Sequence, residues 1–131
     1  MISVIGCGYV GLAMSCLLSS KHKVIAIDND VNKVDLINSG ISPIEDYEIS
    51  NFLKNNSKSL IASTDYVKAI KNSEYLIIAL PTNYNEELGE FDTSIIEDFL
   101  DKAEANNFSG IVIVKSTIPV GFTEYLNKKY I

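Results

Sequence analysis

A glycine-rich hexapeptide near the start of the chain separates an apolar run from a segment with helical periodicity. It reads Gly6-Cys7-Gly8-Tyr9-Val10-Gly11 and matches the pattern G-x-G-x-x-G. The β-branched run at 2–5 before it is typical of a strand buried on both faces. The apolar face predicted after it follows the 3.6-residue period and consists of Val10, Ala13, Met14, Leu17 and Leu18. A strand, a tight turn and a helix are therefore predicted in direct succession.

The same alternation continues along the chain. Further apolar strands are predicted at 24–27, 60–63, 75–80 and 111–114. Helices are predicted between them, with Asn29 or Asp30, Thr64, and the capping box Ser94 and Glu97 as N-terminal signals. An inserted helix after Pro43 is predicted to run into Asn55-Asn56-Ser57, and 82–92 is predicted to have no regular structure.

Strands that alternate with helices, each strand a continuous apolar run, indicate a parallel sheet covered on both faces. The fold class predicted is doubly wound α/β, of the Rossmann type. With 131 residues, 47% of them hydrophobic, the chain is expected to form one domain, 1–131. In such sheets ligands bind beyond the carboxyl ends of the strands, so functional residues are expected just after each strand.

Charge and composition exclude several classes of function. The net charge of −6 argues against nucleic acid as a partner. All 11 basic residues are lysine, so an anion must be bound by backbone amides or lysine and not by an arginine fork. No apolar run is long enough to span a membrane, and two cysteines without a secretory leader suggest a cytoplasmic protein with buried, inert thiols.

The glycine hexapeptide in this context predicts a dinucleotide site. The first glycine permits the tight turn, the second lets the backbone approach a pyrophosphate, and the third lets the helix pack closely on the strand. The free N–H groups of the helix N-terminus would then hold the phosphates. The alternative is a glycine turn that serves packing alone.

Asp28 follows the second strand, 22 residues after Gly6, near the spacing at which an acidic residue binds the adenosine ribose. Its carboxylate would repel a 2′-phosphate, so NAD is predicted in preference to NADP. Lys33, one turn into the next helix, is a cation that could favour NADP. In the alternative interpretation, Asp28 caps that helix and Lys33 is solvated.

Thr82 and Thr117 each follow a predicted strand, where a hydroxyl could bind ribose or phosphate or could cap the strand end. The residues leave these two interpretations open. No metal site is predicted, and His22 is assigned no catalytic role.

Four ordered motifs resemble the UDP-glucose and GDP-mannose dehydrogenase family, most closely its bacterial UDP-glucose 6-dehydrogenases. They are GCGYVGLA at 6–13, NSGISPIED at 38–46, LPTNYN at 80–85 and KSTIPVGFT at 115–123. The resemblance implies oxidation of UDP-glucose to UDP-glucuronate with reduction of two NAD. By position, it implies that the glycine loop residues Gly6, Gly8, Tyr9, Val10 and Gly11 hold the pyrophosphate.

The resemblance also implies roles for the other candidate residues. Asp28 and Lys33 would hold the adenosine ribose, and Thr82 and Thr117 the rest of the cofactor. Thr117 would lie nearest the nicotinamide and help to position a catalytic water.

Within the family, a nucleophilic cysteine carries the covalent intermediates, and no residue of this chain corresponds to it by position. The resemblance therefore implies an NAD-binding fragment, inactive alone, of a longer enzyme that is expected to be a homodimer and to bind UDP-glucose through its other domains. The alternatives are another branch of the family, acting on UDP-N-acetylmannosamine or GDP-mannose, and a stand-alone NAD-sensing module.

Overall fold

A computed structural model describes residues 1–55 and 58–130 as a five-stranded sheet with helices on both faces. The strands of this sheet are β1 (Ile2–Ile5), β2 (Val24–Ile27), β3 (Leu60–Ser63), β4 (Tyr75–Ile78) and β7 (Ile111–Val114). The helices are α1 (Tyr9–Ser19), α2 (Val31–Asn38), α3 (Tyr47–Asn55), α4 (Tyr66–Asn72), α5 (Ser94–Ala105) and α6 (Phe122–Tyr130). A separate hairpin consists of β5 (Tyr84–Asn85) and β6 (Glu90–Phe91).

The sheet is entirely parallel, in the order β3-β2-β1-β4-β7. The chain moves outward from β1 through β2 to β3, then crosses to β4 on the other side of β1. The direction of winding therefore reverses between β1 and β4, which is where doubly wound sheets bind ligands. The predicted fold class and all five predicted strands are confirmed, although the fourth strand ends at Ile78 and not at Leu80.

Two hydrophobic clusters cover the two faces of the sheet. The helices α1, α2 and α3 supply one cluster, centred on Leu12, Ile37 and Leu53, and α4, α5 and α6 supply the other. On β7, however, Ile111 and Ile113 are exposed, so the expected cover is incomplete at that edge. None of the helices in 1–55 and 58–130 has the length and apolar character to cross a membrane.

The helix α1 is present as predicted, but it packs through a different face. Its buried residues are Gly11, Leu12, Ser15, Cys16 and Ser19, whereas Val10, Ala13 and Leu17 of the predicted face are exposed. The helix is apolar nearly all round, so its small residues turn toward the sheet, where they allow close approach. The predicted face is therefore wrong for Val10, Ala13 and Leu17, whereas Met14 and Leu18 are half-buried and pack against the core.

Two predictions of helix N-termini are also wrong. The cap of α4 is Asp65, whose side chain accepts from the Lys68 N–H, and not Thr64. The N-cap of α5 is Thr93, and no capping box forms between Ser94 and Glu97.

The prediction that 82–92 has no regular structure is wrong, because the segment contains the hairpin β5–β6. In this hairpin the rings of Tyr84 and Phe91 meet edge to face with centroids 5.1 Å apart. The inserted helix exists as α3, and Asn56-Ser57 of its predicted end lie outside the described residues.

Candidate functional site

A cleft of about 750 Å³ opens at the carboxyl edge of the sheet, and residues at or just after the ends of all five parallel strands line it. Eight of the nine residues predicted from the sequence are among them: Gly6, Gly8, Tyr9, Val10, Asp28, Lys33, Thr82 and Thr117. The ninth, Gly11, lies in the first turn of α1, packed against Gly6 and Ala79. The fold therefore brings the predicted residues together around one cavity.

Two glycines of the loop are required by the protein's own packing. Gly6 has a φ of 103°, and a Cβ at this position would lie 2.5 Å from the Ala79 carbonyl oxygen. A Cβ on Gly11 would lie 1.8 Å from the Gly6 carbonyl oxygen. Only glycine permits α1 to start this close to β1 and β4.

Gly8 differs from both. It is the N-cap of α1, its φ of −79° and ψ of −166° suit any residue, and a Cβ there would meet no heavy atom within 4 Å. Nothing in the protein's own packing therefore requires glycine at this position. The first turn of α1 contains no acidic residue, so no side-chain carboxylate in that turn occupies the positive end of the helix dipole.

Asp28 is tied to the glycine loop. Its Oδ2 accepts the Cys7 backbone N–H at 2.9 Å, and its Oδ1 accepts the Asp30 N–H at 2.9 Å. The Lys33 Nζ lies 3.9 Å from Oδ2. The N-cap of α2 is Asp30, so the alternative in which Asp28 caps that helix is wrong. Each carboxylate oxygen retains acceptor capacity for a ligand hydroxyl.

The two cysteines are buried and free, as predicted. Burial raises the pKa of the Cys7 thiol to about 12, and the neighbouring Asp28 carboxylate adds to the increase. Burial likewise raises the pKa of Cys16, to about 11. Both thiols therefore stay protonated at neutral pH and are poor nucleophiles.

The two threonines meet at the opposite end of the cleft. The Thr82 hydroxyl donates to the Thr117 carbonyl oxygen at 2.9 Å, and the Ser116 hydroxyl donates to the Leu80 carbonyl oxygen at 2.7 Å. These bonds join the loops that follow β4 and β7. The Thr82 hydroxyl therefore already donates its hydrogen bond within the protein, whereas the side chain of Thr117 is exposed at the cleft.

Sequence reasoning missed part of the lining. Ala79 touches the positions of both buried glycines, and Ser116 fixes the Thr117 loop. Tyr66, Phe99 and Lys102 also line this cleft. They lie on α4 and α5, and no motif in the sequence connects them to Asp28. Within 1–55 and 58–130, no cluster of three or more His, Cys, Asp or Glu residues could hold a metal ion.

Comparison with known proteins identifies this arrangement. Residues 1–131 match the NAD binding domain of the UDP-glucose/GDP-mannose dehydrogenase family. The chain belongs to this family. The resemblance drawn from the four motifs and the prediction of NAD as cofactor are thereby confirmed.

Relatives within the family include UDP-glucose 6-dehydrogenases from Streptococcus pneumoniae, 40% identical over 129 residues, and from Campylobacter jejuni, 39% identical over 131 residues. Each match covers 98% of this chain and 33% of the relative. A crystal structure of a ternary complex of GDP-mannose dehydrogenase from Pseudomonas aeruginosa superimposes with a TM-score of 0.86 at 31% identity, over 94% of this chain and 30% of that one. The chain thus spans about a third of these relatives.

Proposed function

We propose that the cleft holds NAD in an extended form, with its pyrophosphate on the glycine loop. The backbone N–H groups of the first turn of α1 at Tyr9 and Val10 would bind the phosphates, with Gly8 giving them room to approach. Gly6 and Gly11 contribute indirectly, because they shape the turn. NAD supplies the hydride acceptor when it is bound, and these residues hold and orient it.

The observation that carries this proposal is the open space around Gly8. Gly6 and Gly11 are explained by the chain's own atoms, but the Cβ position of Gly8 points into empty volume at a helix N-terminus. A group that approaches the backbone from the cleft would need that space. The absence of an acidic side chain in this turn suits an anion, and a pyrophosphate fits both features.

At the next strand, Asp28 and Lys33 would hold the adenosine ribose. Asp28 is partly buried and held in place by two backbone N–H groups, so its charge is fixed at the edge of the cleft. A fixed carboxylate accepts hydrogen bonds from ribose hydroxyls but repels a 2′-phosphate. The single lysine at 3.9 Å is already engaged with this carboxylate. We therefore propose that the site discriminates against NADP.

Titration of NAD and NADP into the chain by calorimetry tests this proposal. We expect wild-type protein to bind NAD more tightly by on the order of 100-fold. Asp28→Ala is expected to weaken NAD binding. It should also reduce the preference for NAD over NADP to about tenfold or less, because the repulsion of the 2′-phosphate is removed. The matched control is Asp35→Ala, an exposed carboxylate on α2 outside the cleft lining. Equal or tighter binding of NADP by wild-type protein would contradict the proposal.

At the β4–β7 end we propose that Thr117 lies nearest the nicotinamide and helps to position a catalytic water. Thr82 would act by holding the Thr117 loop, since its hydroxyl donates to the Thr117 carbonyl oxygen. This hydrogen bond joins the two loops. This arrangement gives the reactive end of the cofactor a fixed position relative to β4 and β7.

We further propose that 1–131 are the cofactor domain of a longer, cytoplasmic, homodimeric UDP-glucose 6-dehydrogenase. That enzyme would oxidise UDP-glucose to UDP-glucuronate with two NAD, and its substrate and nucleophile would be held by other domains. The identities of 40% and 39% to UDP-glucose 6-dehydrogenases support this substrate. The raised pKa values of Cys7 and Cys16 support a nucleophile outside this domain.

The substrate is tested on the full-length protein by following NADH at 340 nm with three nucleotide sugars. We expect UDP-glucose to yield two NADH per molecule, and UDP-N-acetylmannosamine and GDP-mannose to react far more slowly. A protein that oxidises either of those two sugars faster than UDP-glucose would belong to another branch. Analytical ultracentrifugation of the same sample tests the homodimer.

A further inference from the structure

One wall of the cleft, formed by residues of α4 and α5, has no role in the arrangement described above. Tyr66 begins α4 on one side, and Ile95, Phe99 and Lys102 lie along α5 on the other. Tyr66 is half-buried and packs against the hydrophobic cluster of this face, and Phe99 is buried within that cluster. The wall therefore combines an anchored aromatic ring with apolar neighbours.

The order of the strands places this wall along the path of the proposed ligand. The glycine loop follows β1, Asp28 follows β2, and Tyr66 lies three residues past the end of β3. In NAD the pyrophosphate, the adenosine ribose and the adenine base follow one another in that same order. If the first two moieties lie at β1 and β2, then the base extends toward Tyr66.

The half-buried Tyr66 ring lines the cleft. The Nζ of Lys102 lies 5.1 Å from the ring centroid, in the geometry of a cation–π contact. Lys102 is exposed, so its side chain can leave this position and remain solvated. An aromatic face that a surface lysine can cover and uncover is suited to stack on a planar base.

We propose that Tyr66 stacks on the adenine base of the cofactor and that Lys102 moves off the ring to admit it. The inference rests on the proposed placement of the pyrophosphate at the glycine loop. It assigns Tyr66 as a binding residue of the adenine end, with Ile95 and Phe99 as the apolar surface beside the base. Lys102 covers the ring when the base is absent.

Binding of three probes to two variants tests the role of Tyr66: NAD, 5′-AMP, and nicotinamide mononucleotide, which has no adenine. Tyr66→Leu keeps an apolar side chain against the core but removes the ring. It is expected to weaken the binding of NAD and of 5′-AMP by about tenfold. Tyr66→Phe is expected to stay within about twofold of wild type because stacking is retained. Nicotinamide mononucleotide should bind both variants as it binds wild type. The control is Tyr47→Leu, a tyrosine on α3 that is 84% exposed and outside the cleft lining.

Nuclear magnetic resonance of the wild-type complex gives a second measurement that needs no variant. The adenine H2 and H8 resonances of bound 5′-AMP should shift upfield through the ring current and show contacts to the Tyr66 ring protons. Absence of these contacts, or a folded Tyr66→Leu variant that binds 5′-AMP like wild type, would overturn the assignment of Tyr66. Failure of wild-type protein to bind NAD at all would instead overturn the proposed function.

Discussion

Replacement of Gly11 by alanine is expected to lower the free energy of unfolding by about 3 kcal/mol or more. The new Cβ would lie 1.8 Å from the Gly6 carbonyl oxygen and 3.3 Å from the Ala79 Cβ. The first contact is with backbone, which cannot rotate away as a side chain can. Relief requires α1 to move off the sheet, and Leu12 and Cys16 of the core move with it.

Urea unfolding followed by circular dichroism measures this effect. The matched control is Gly8→Ala, three residues earlier in the same loop, where the added Cβ meets open space and φ is ordinary. We expect the control to change stability by less than about 1 kcal/mol, the scale of an N-cap substitution. A Gly11→Ala variant as stable as Gly8→Ala would show that the helix does not need its close approach to Gly6.

Gly8→Ala, which is expected to have little effect on stability, is expected to have a large effect on NAD binding. The variant should fold like wild type but bind NAD more weakly by on the order of 100-fold, because the methyl group would occupy the space proposed for the pyrophosphate. Calorimetric titration of the folded variant measures the loss. The two alanine variants thereby separate a glycine required for packing from a glycine required for a ligand.

Nicotinamide mononucleotide and adenosine provide internal controls for Gly8→Ala. Neither contains a pyrophosphate, so the variant should affect their binding far less than that of NAD. Unchanged NAD affinity in Gly8→Ala would mean that the phosphates do not approach the backbone at this residue. It would then remove the main structural support for the glycine loop as the anion site.

The fold was predictable because its signals are local. Each parallel strand is a short run of β-branched and aliphatic residues, and the glycine hexapeptide fixes the first turn. The candidate site was predictable for the same reason, since Gly8, Asp28, Thr82 and Thr117 each follow a strand whose carboxyl end reaches a common edge. Alternation and motif position were sufficient to bring these residues together.

The errors arise where distant contacts override local signals. Glu97 has the right spacing for a capping box, but its carboxylate accepts from the Tyr125 hydroxyl at 2.8 Å and from Lys129 at 3.3 Å, both on α6. The hydrogen bonds of Glu97 are thus determined by residues some thirty positions further along the chain. Periodicity also failed for α1, because a helix that is apolar nearly all round gives no preferred side, whereas Gly11 packed on Gly6 does.

The hairpin in 82–92 and the wall at Tyr66 could not be predicted from local sequence patterns, for different reasons. Each hairpin strand has two residues, too few for a pattern of alternation, and Asn85 fixes the turn by accepting the N–H groups of Glu87 and Leu88. Tyr66 and Lys102 meet only because α4 and α5 cover the same face of the sheet. No sequence motif indicates that two residues so far apart in the chain will meet.

In the proposed complex, NAD is held by the backbone of the glycine loop at the carboxyl edge of the sheet. Amide chemical shifts of the ¹⁵N-labelled chain, recorded during titration with NAD, test it most directly. We expect the largest shifts at Gly8, Tyr9 and Val10, with further shifts around Asp28 and Thr117. Saturable NAD binding whose largest shifts lie away from these residues, or no binding at all, would contradict it.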